Sequence, residues 1–122
     1  MESSLFWFLI LIQLKHWYID FVNQSSEEVA GKGIYGNKLG IRHSAKHGLG
    51  TFAIILLITD WPYIVFAALI AFFDFVTHYH IDWVKMNYGN RDIQNPKFWN
   101  HLGLDQMAHQ MVYVCLAWLI FA

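Results

Sequence analysis

The sequence predicts an all-α integral membrane protein: a single domain over residues 1–122 folded as a four-helix bundle, with both termini on the non-cytoplasmic side. Three observations carry that prediction. Four apolar stretches occur at about residues 5–22, 43–58, 62–83 and 102–122, and ~20 residues cross a bilayer core at 1.5 Å per residue. Of the 122 residues, 57% are hydrophobic and only 14% charged, whereas a soluble domain averages about 25% charged. Finally, the basic residues gather in two of the three connections. The same composition, with a net charge of -1, excludes a disordered chain and a nucleic-acid-binding one, which need few apolar residues or a strong basic excess.

The first stretch, Leu5 to Val22, follows Met1-Glu2-Ser3-Ser4. That start lacks the basic segment of a secretory signal, so the helix is expected to be retained. The second, His43 to Ile58, is short. Thr59-Asp60-Trp61-Pro62 reads as a tight hairpin, with Asp60 as cap and Pro62 in the first turn of the third helix, which runs to Trp83. The fourth stretch runs from Leu102 to Ala122. Two longer connections, Asn23 to Arg42 and Val84 to Asn100, contain Gly31, Gly33, Gly36 and Gly40, and Gly89 and Pro96. Both read as polar loops with irregular backbone. Trp17, Trp61, Tyr63, Trp83 and Trp99 flank the spans, as interfacial aromatic residues do. Gly48 and Gly50 are expected to permit close helix approach, and the lone Cys115 to be a small buried hydrophobe.

Charge placement sets the orientation. Lys32, Lys38, Arg42 and Lys46 lie in or beside the first connection, and Lys85, Arg91 and Lys97 in or beside the third. The hairpin and both termini have no Lys or Arg. The positive-inside rule then puts the first and third connections in the cytoplasm, as expected for a multi-pass protein of the inner (cytoplasmic) membrane.

Against the apolar background stand seven His and six Asp. They pair at a spacing of four residues: His16/Asp20, His43/His47, Asp74/His78, His78/Asp82, His101/Asp105 and Asp105/His109. Random placement would give about one such pair. Residues at i and i+4 share a helix face, so each pair aims two side chains at one point. His16/Asp20, His43/His47, His78/Asp82 and Asp105/His109 all fall at the cytoplasmic ends of their helices, one pair per helix.

Imidazole and carboxylate are the usual nitrogen and oxygen ligands of zinc, manganese or iron. Eight of them exceed what one tetrahedral ion needs, so the expectation is two divalent ions, zinc first, with manganese or iron as alternatives. The ligand set is His16, Asp20, His43, His47, His78, Asp82, Asp105 and His109. Asp74 lies a turn deeper and is expected to orient an imidazole through its other nitrogen. His80 and His101 fall off the stripe and read as peripheral.

The motifs His16-x-x-x-Asp20-Phe21-x-x-Gln24, His43-x-x-x-His47, His78-x-x-x-Asp82-x-x-Lys85 and Asp105-Gln106-x-x-His109 resemble small bacterial and phage-encoded membrane proteins catalogued as a domain of unknown function. More loosely, the arrangement looks like membrane-bound metal-dependent hydrolases. The resemblance implies a four-helix membrane bundle and makes Gln24, Lys85 and Gln106 candidates for orienting ligands or touching substrate.

The expected activity is metal-dependent hydrolysis of a lipid or lipid-linked phosphoester, ester or amide at the cytoplasmic interface. In this scheme Asp20, Asp82 and Asp105 serve as ligands or base, and Lys85, with Arg42 or Lys46 nearby, holds an anionic head group. Three other readings stay open. A di-iron lipid oxidase usually shows His-His pairs, and none occurs here. A metal or proton transporter would need polar groups continuing past Ile54–Ile58 and Val114–Ala122, which are apolar. The remaining one is a non-enzymatic membrane interaction protein. Membrane lipid is the expected partner, nucleic acid is not, and homo-oligomerisation is left open.

Overall fold

Side-chain caps explain where the helices begin. In the computed structural model, which describes residues 2–59 and 64–122, α1 covers Glu2–Trp17 and continues into a π-helical turn, Tyr18–Val22. There follow α2 (Ser26–Lys32), α3 (Lys38–Ile58), α4 (Ile64–Tyr88) and α5 (Pro96–Phe121). Ser25 Oγ accepts the Glu28 N–H at 3.1 Å to start α2. Asn37 Oδ1 accepts from the N–H groups of Leu39 and Gly40 to start α3. Asn95 accepts the Lys97 N–H at 2.9 Å, and Pro96, which lacks an N–H, occupies the first turn of α5. The expected cap at Asp60 and turn at Pro62 lie outside the described residues.

The protein is all-α, with no strand among the described residues. Two corrections to the sequence-based boundaries bear on function. The first connection is not wholly irregular, because it holds α2. In addition, α3 and α5 begin at Lys38 and Pro96 rather than near His43 and Leu102.

Among the long helices α3 packs on α1 and α4, and α5 packs on α4 and α1, while α2 lies against α3 and α4. Glycines permit the closest approaches. A Cβ on Gly40 would stand 2.8 Å from Gly31 O and 3.2 Å from Lys32 Cα, so α2 and α3 meet backbone to backbone. A Cβ on Gly48 would stand 3.0 Å from Phe75 Cβ, and one on Gly50 2.8 Å from Lys15 Cδ. Both positions therefore act as expected.

The interior divides along the helix axes. Phe8, Ile12, Ile54, Ile55, Ala67, Ile70, Tyr113 and Leu116 form an apolar core at one end. His16, Asp20, His43, His47, His78, Asp82, Asp105 and His109 are buried toward the other. Between them Lys15 Nζ donates to Asp74 at 2.9 Å and to Thr51 Oγ1 at 3.0 Å, and Thr51 Oγ1 donates to Asp74. Outward faces carry large apolar side chains, among them Leu57, Val65, Leu69, Phe72, Val114 and Trp118. Cys115 is also exposed, contrary to expectation. Two helical segments, Ser3–Val22 and Ile64–Tyr88, are long and apolar enough to cross a membrane.

Breaking one half of a buried ion pair strands the other charge, at a cost of about 3–5 kcal/mol, whereas replacing both partners by apolar groups is often neutral. Lys15→Met is therefore expected to destabilise the protein by about that amount in detergent unfolding curves. Lys15→Met combined with Asp74→Leu should recover most of the loss. Additive losses would contradict the coupling.

Candidate metal centre

The four expected pairs do converge, and the local backbone explains how. Asp20 sits on the π-helical turn closed by the Asn23 N–H to Tyr18 O bond at 2.7 Å. This widened turn departs from the α-helical register and is a common device at functional sites. His43 and His47 lie one turn apart on α3, His78 and Asp82 on α4, and Asp105 and His109 on α5. The rings of His47 and His78 stack at 3.6 Å between centroids, and those of His78 and His109 at 4.2 Å.

Two sets of ligand atoms lie within 4.8 Å of one another: Asp20, His43, His47 and His78, and then His78, Asp82 and His109. Asp20 Oδ1 stands 2.9 Å from His43 Nε2, 2.7 Å from His47 Nε2 and 3.6 Å from His78 Nε2. Asp82 uses both oxygens, with Oδ2 3.1 Å from His78 Nε2 and Oδ1 3.1 Å from His109 Nε2. Asp105 Oδ1 lies 3.4 Å from His109 Nε2. Ligand bonds of 2.0–2.1 Å in a tetrahedral zinc site put neighbouring donors about 3.3 Å apart. The observed spacings bracket that value.

Hydrogen-bond accounting favours a cation among these atoms. His78 Nε2, Asp82 Oδ2 and Asp105 Oδ1 are buried without a hydrogen-bond partner, although Asp82 Oδ2 lies 3.1 Å from His78 Nε2 and 3.2 Å from the Lys32 ammonium, and Asp105 Oδ1 3.4 Å from His109 Nε2. His43 lies between two carboxylates, with Nδ1 3.3 Å from Glu28 Oε2 and Nε2 2.9 Å from Asp20 Oδ1. A neutral imidazole has one N–H and can satisfy only one of them. The other contact sets lone pair against lone pair unless a proton or metal ion lies between. Buried His and Asp groups at these separations could hold a metal ion.

The remaining expected residues take varied places. His16 has both ring nitrogens engaged, Nδ1 with Tyr113 OH and Nε2 with Gln106 Oε1, each at 2.8 Å. It stands beside Asp20, at 3.5 Å, rather than within either ligand set. Gln106 also donates to Asp105 Oδ2 at 3.0 Å and so ties α1 to the ligands of α5. Gln24 donates to Asp20 O at 2.8 Å, bracing the π turn. Lys85 Nζ lies 3.6 Å from Asp105 Oδ2. Asp74 does not orient an imidazole; its carboxylate faces Lys15 and Thr51, because it lies a full turn below His78. His80 is exposed, bonding Tyr35 OH, and His101 accepts the Asn90 N–H, so both are peripheral as expected.

The family model for a protein of unknown function (DUF3307) matches residues 6–122. The chain belongs to that family. No curated protein and no solved structure matches this DUF3307 chain.

Sequence reasoning missed Glu28 and Lys32, which α2 carries into the site of this DUF3307 chain. Lys32 Nζ lies 3.2 Å from Asp82 Oδ2. Glu28 Oε1 accepts from Lys46 Nζ at 2.7 Å, and its other oxygen faces His43. Burial alone would raise the Glu28 pKa, but the hydrogen bonds from Lys46 and His43 outweigh it and hold the carboxyl below its ordinary value. The available signal was Ser25-x-x-Glu28, the pattern of a helix N-terminus inside an apparent loop.

A carboxylate on the far nitrogen of a ligating imidazole fixes its tautomer and raises its basicity, and losing it typically costs 10–100-fold in metal affinity. Glu28→Gln is accordingly expected to weaken metal binding by about 10–100-fold in chelator competition. Unchanged affinity would show that Glu28 does not position His43.

Proposed function

We propose that the protein is a membrane-embedded, metal-dependent hydrolase with a dinuclear His/Asp site at the cytoplasmic interface, acting on a lipid or lipid-linked phosphoester, ester or amide. The observation that carries this reading is the pair of buried ligand sets, Asp20, His43, His47 and His78, and His78, Asp82 and His109, in which His78 Nε2 and Asp82 Oδ2 have no hydrogen-bond partner, with Asp105 Oδ1 3.4 Å from His109 Nε2. The long helices form a four-helix bundle spanning the inner membrane, both termini outside. The apolar outer faces, the two span-like segments and the basic first and third connections support that topology.

The ligand chemistry supports two ions rather than one. His78 Nε2 has a single lone pair and can serve one ion only. Asp20, His43, His47 and His78 would hold one ion. Asp82, with Oδ2 3.1 Å from His78 Nε2 and Oδ1 3.1 Å from His109 Nε2, would help hold a second ion together with His109 and the neighbouring Asp105. That second set has three protein ligands, and catalytic metal sites keep such an open position. The nitrogen and oxygen donors suit zinc, with manganese and iron as alternatives.

Bound metal would supply an acidic water and polarise the electrophile at neutral pH. The protein's own residues do the rest. The Asp105 oxygen not held to an ion would take a proton from water and return it to the departing oxygen or nitrogen. Lys85 Nζ, 3.6 Å from Asp105 and 35% exposed, is placed to hold a negative head group. Stacking of His47, His78 and His109 keeps the three rings in fixed planes.

Metal analysis of the purified protein is expected to find about two ions, with clear losses in Asp82→Ala and Asp105→Ala. Zinc- or manganese-loaded protein should release a water-soluble head group from lipid extract. A protein that takes up none of these metals would overturn the reading, and iron with oxygen consumption would reassign it to lipid oxidation.

A further inference from the structure

The charges around the centre do not balance once metal is bound, and the imbalance identifies the substrate class. Four carboxylates lie in the cluster: Asp20, Asp82, Asp105 and Glu28. Three ammonium groups accompany them, Lys32 at 3.2 Å from Asp82, Lys46 at 2.7 Å from Glu28 and Lys85 at 3.6 Å from Asp105. Arg42, 65% exposed at the rim, is screened by water. With neutral imidazoles the cluster carries one negative charge, and two divalent ions would turn this into three positive charges. An uncompensated excess of that size, largely buried, is costly.

An anion bound beside the second ion relieves it. Lys32 and Lys85 reach the two carboxylates of that ion's ligand set from different elements, one from α2 and one from α4. Lys32 is held almost wholly out of water. A phosphate monoester brings about -1.5 to -2 charge at pH 7 and three acceptor oxygens. A carboxylic ester or amide brings none.

The same place has an apolar annex. A groove of about 480 Å³ between α4 and α5 is lined by Ile81, Val84, Leu104 and Ala108, with Lys85 and Asp105 also on its wall. His80, Tyr88 and His101 also line the wall, and Asp105 links the groove to His109 of the second ligand set, 3.4 Å away.

We infer that the site takes an amphiphile ending in a phosphate monoester, with the phosphate received by Lys32 and Lys85 and the apolar chain laid in the α4/α5 groove. This rests on the metal-centre reading above. Hydrolysis would then add water across the P–O bond: oxygen from water joins phosphorus, the ester oxygen leaves with a proton, and inorganic phosphate is the product.

The test is calorimetric titration of full-length protein in detergent, with and without zinc, using inorganic phosphate, dodecyl phosphate and dodecanoate. Metal-loaded protein should bind inorganic phosphate, and dodecyl phosphate at least about tenfold tighter, equivalent to one decade in Kd. Dodecanoate should bind at least about tenfold more weakly than dodecyl phosphate. Lys85→Gln and Lys32→Gln should each weaken both phosphates while metal content is kept; Lys85 is partly exposed, so its variant tolerates the change if Lys32→Gln does not fold. Ala108→Phe, which fills the groove, should weaken dodecyl phosphate alone. Zinc-loaded protein that prefers dodecanoate, or binds phosphate no better than metal-free protein, overturns the inference and leaves the metal centre standing. Equal affinity for the two phosphates overturns the groove and makes the ligand soluble phosphate. Failure to take up metal overturns both readings.

Discussion

Everything in this fold is arranged around one oxygen. Asp20 Oδ1 faces three imidazole nitrogens within 3.6 Å, in an interior closed to water. A carboxylate cannot be left there without compensation, because desolvating an ionised group costs several kcal/mol that only close countercharge or metal coordination offsets. The π turn that aims Asp20 inward, the glycines that let α2 lie on α3, and the Lys46–Glu28–His43 chain all serve that compensation. A turn deeper, Lys15 and Asp74 neutralise each other and close the polar region against the apolar core.

That separation along the helix axes links composition to chemistry. The apolar end packs Phe8, Ile12, Ile54, Ile70 and Leu116, and large apolar side chains such as Leu57, Val65, Leu69 and Trp118 are exposed on the helices. The buried His and Asp cluster lies toward the other end, on the side of the basic connections. Such a division suits a membrane as solvent, since ionisable groups within a span face the interior and mark function. The α4/α5 groove brings Lys85 and Asp105 beside the apolar side chains of Ile81, Val84, Leu104 and Ala108.

Much of this was legible in the sequence, for a physical reason. A helix repeats every 3.6 residues, so the four-residue spacing of His and Asp survives folding as a shared face. His43/His47, His78/Asp82 and Asp105/His109 were found that way. His16 was placed on the right helix, but its ring is tied to Tyr113 and Gln106 across the interior, which spacing within one helix cannot express. Asp74 was misassigned for the same reason, its partner Lys15 being on another helix. Glu28 and Lys32 were lost because charged residues in a polar stretch with serines and glycines look like solvated loop, and only tertiary packing of α2 buries them. Cys115 was misjudged because an apolar run does not say which of its faces points inward.

The central claim is that these side chains surround a pair of metal ions. X-ray absorption at the metal edge of the loaded protein addresses it most directly. The account predicts a shell of nitrogen and oxygen at about 2.0–2.2 Å, outer scattering from several imidazoles, no sulfur, and a metal–metal distance of about 3.5–4 Å. A sulfur shell, or a shell without imidazole scattering, would contradict it.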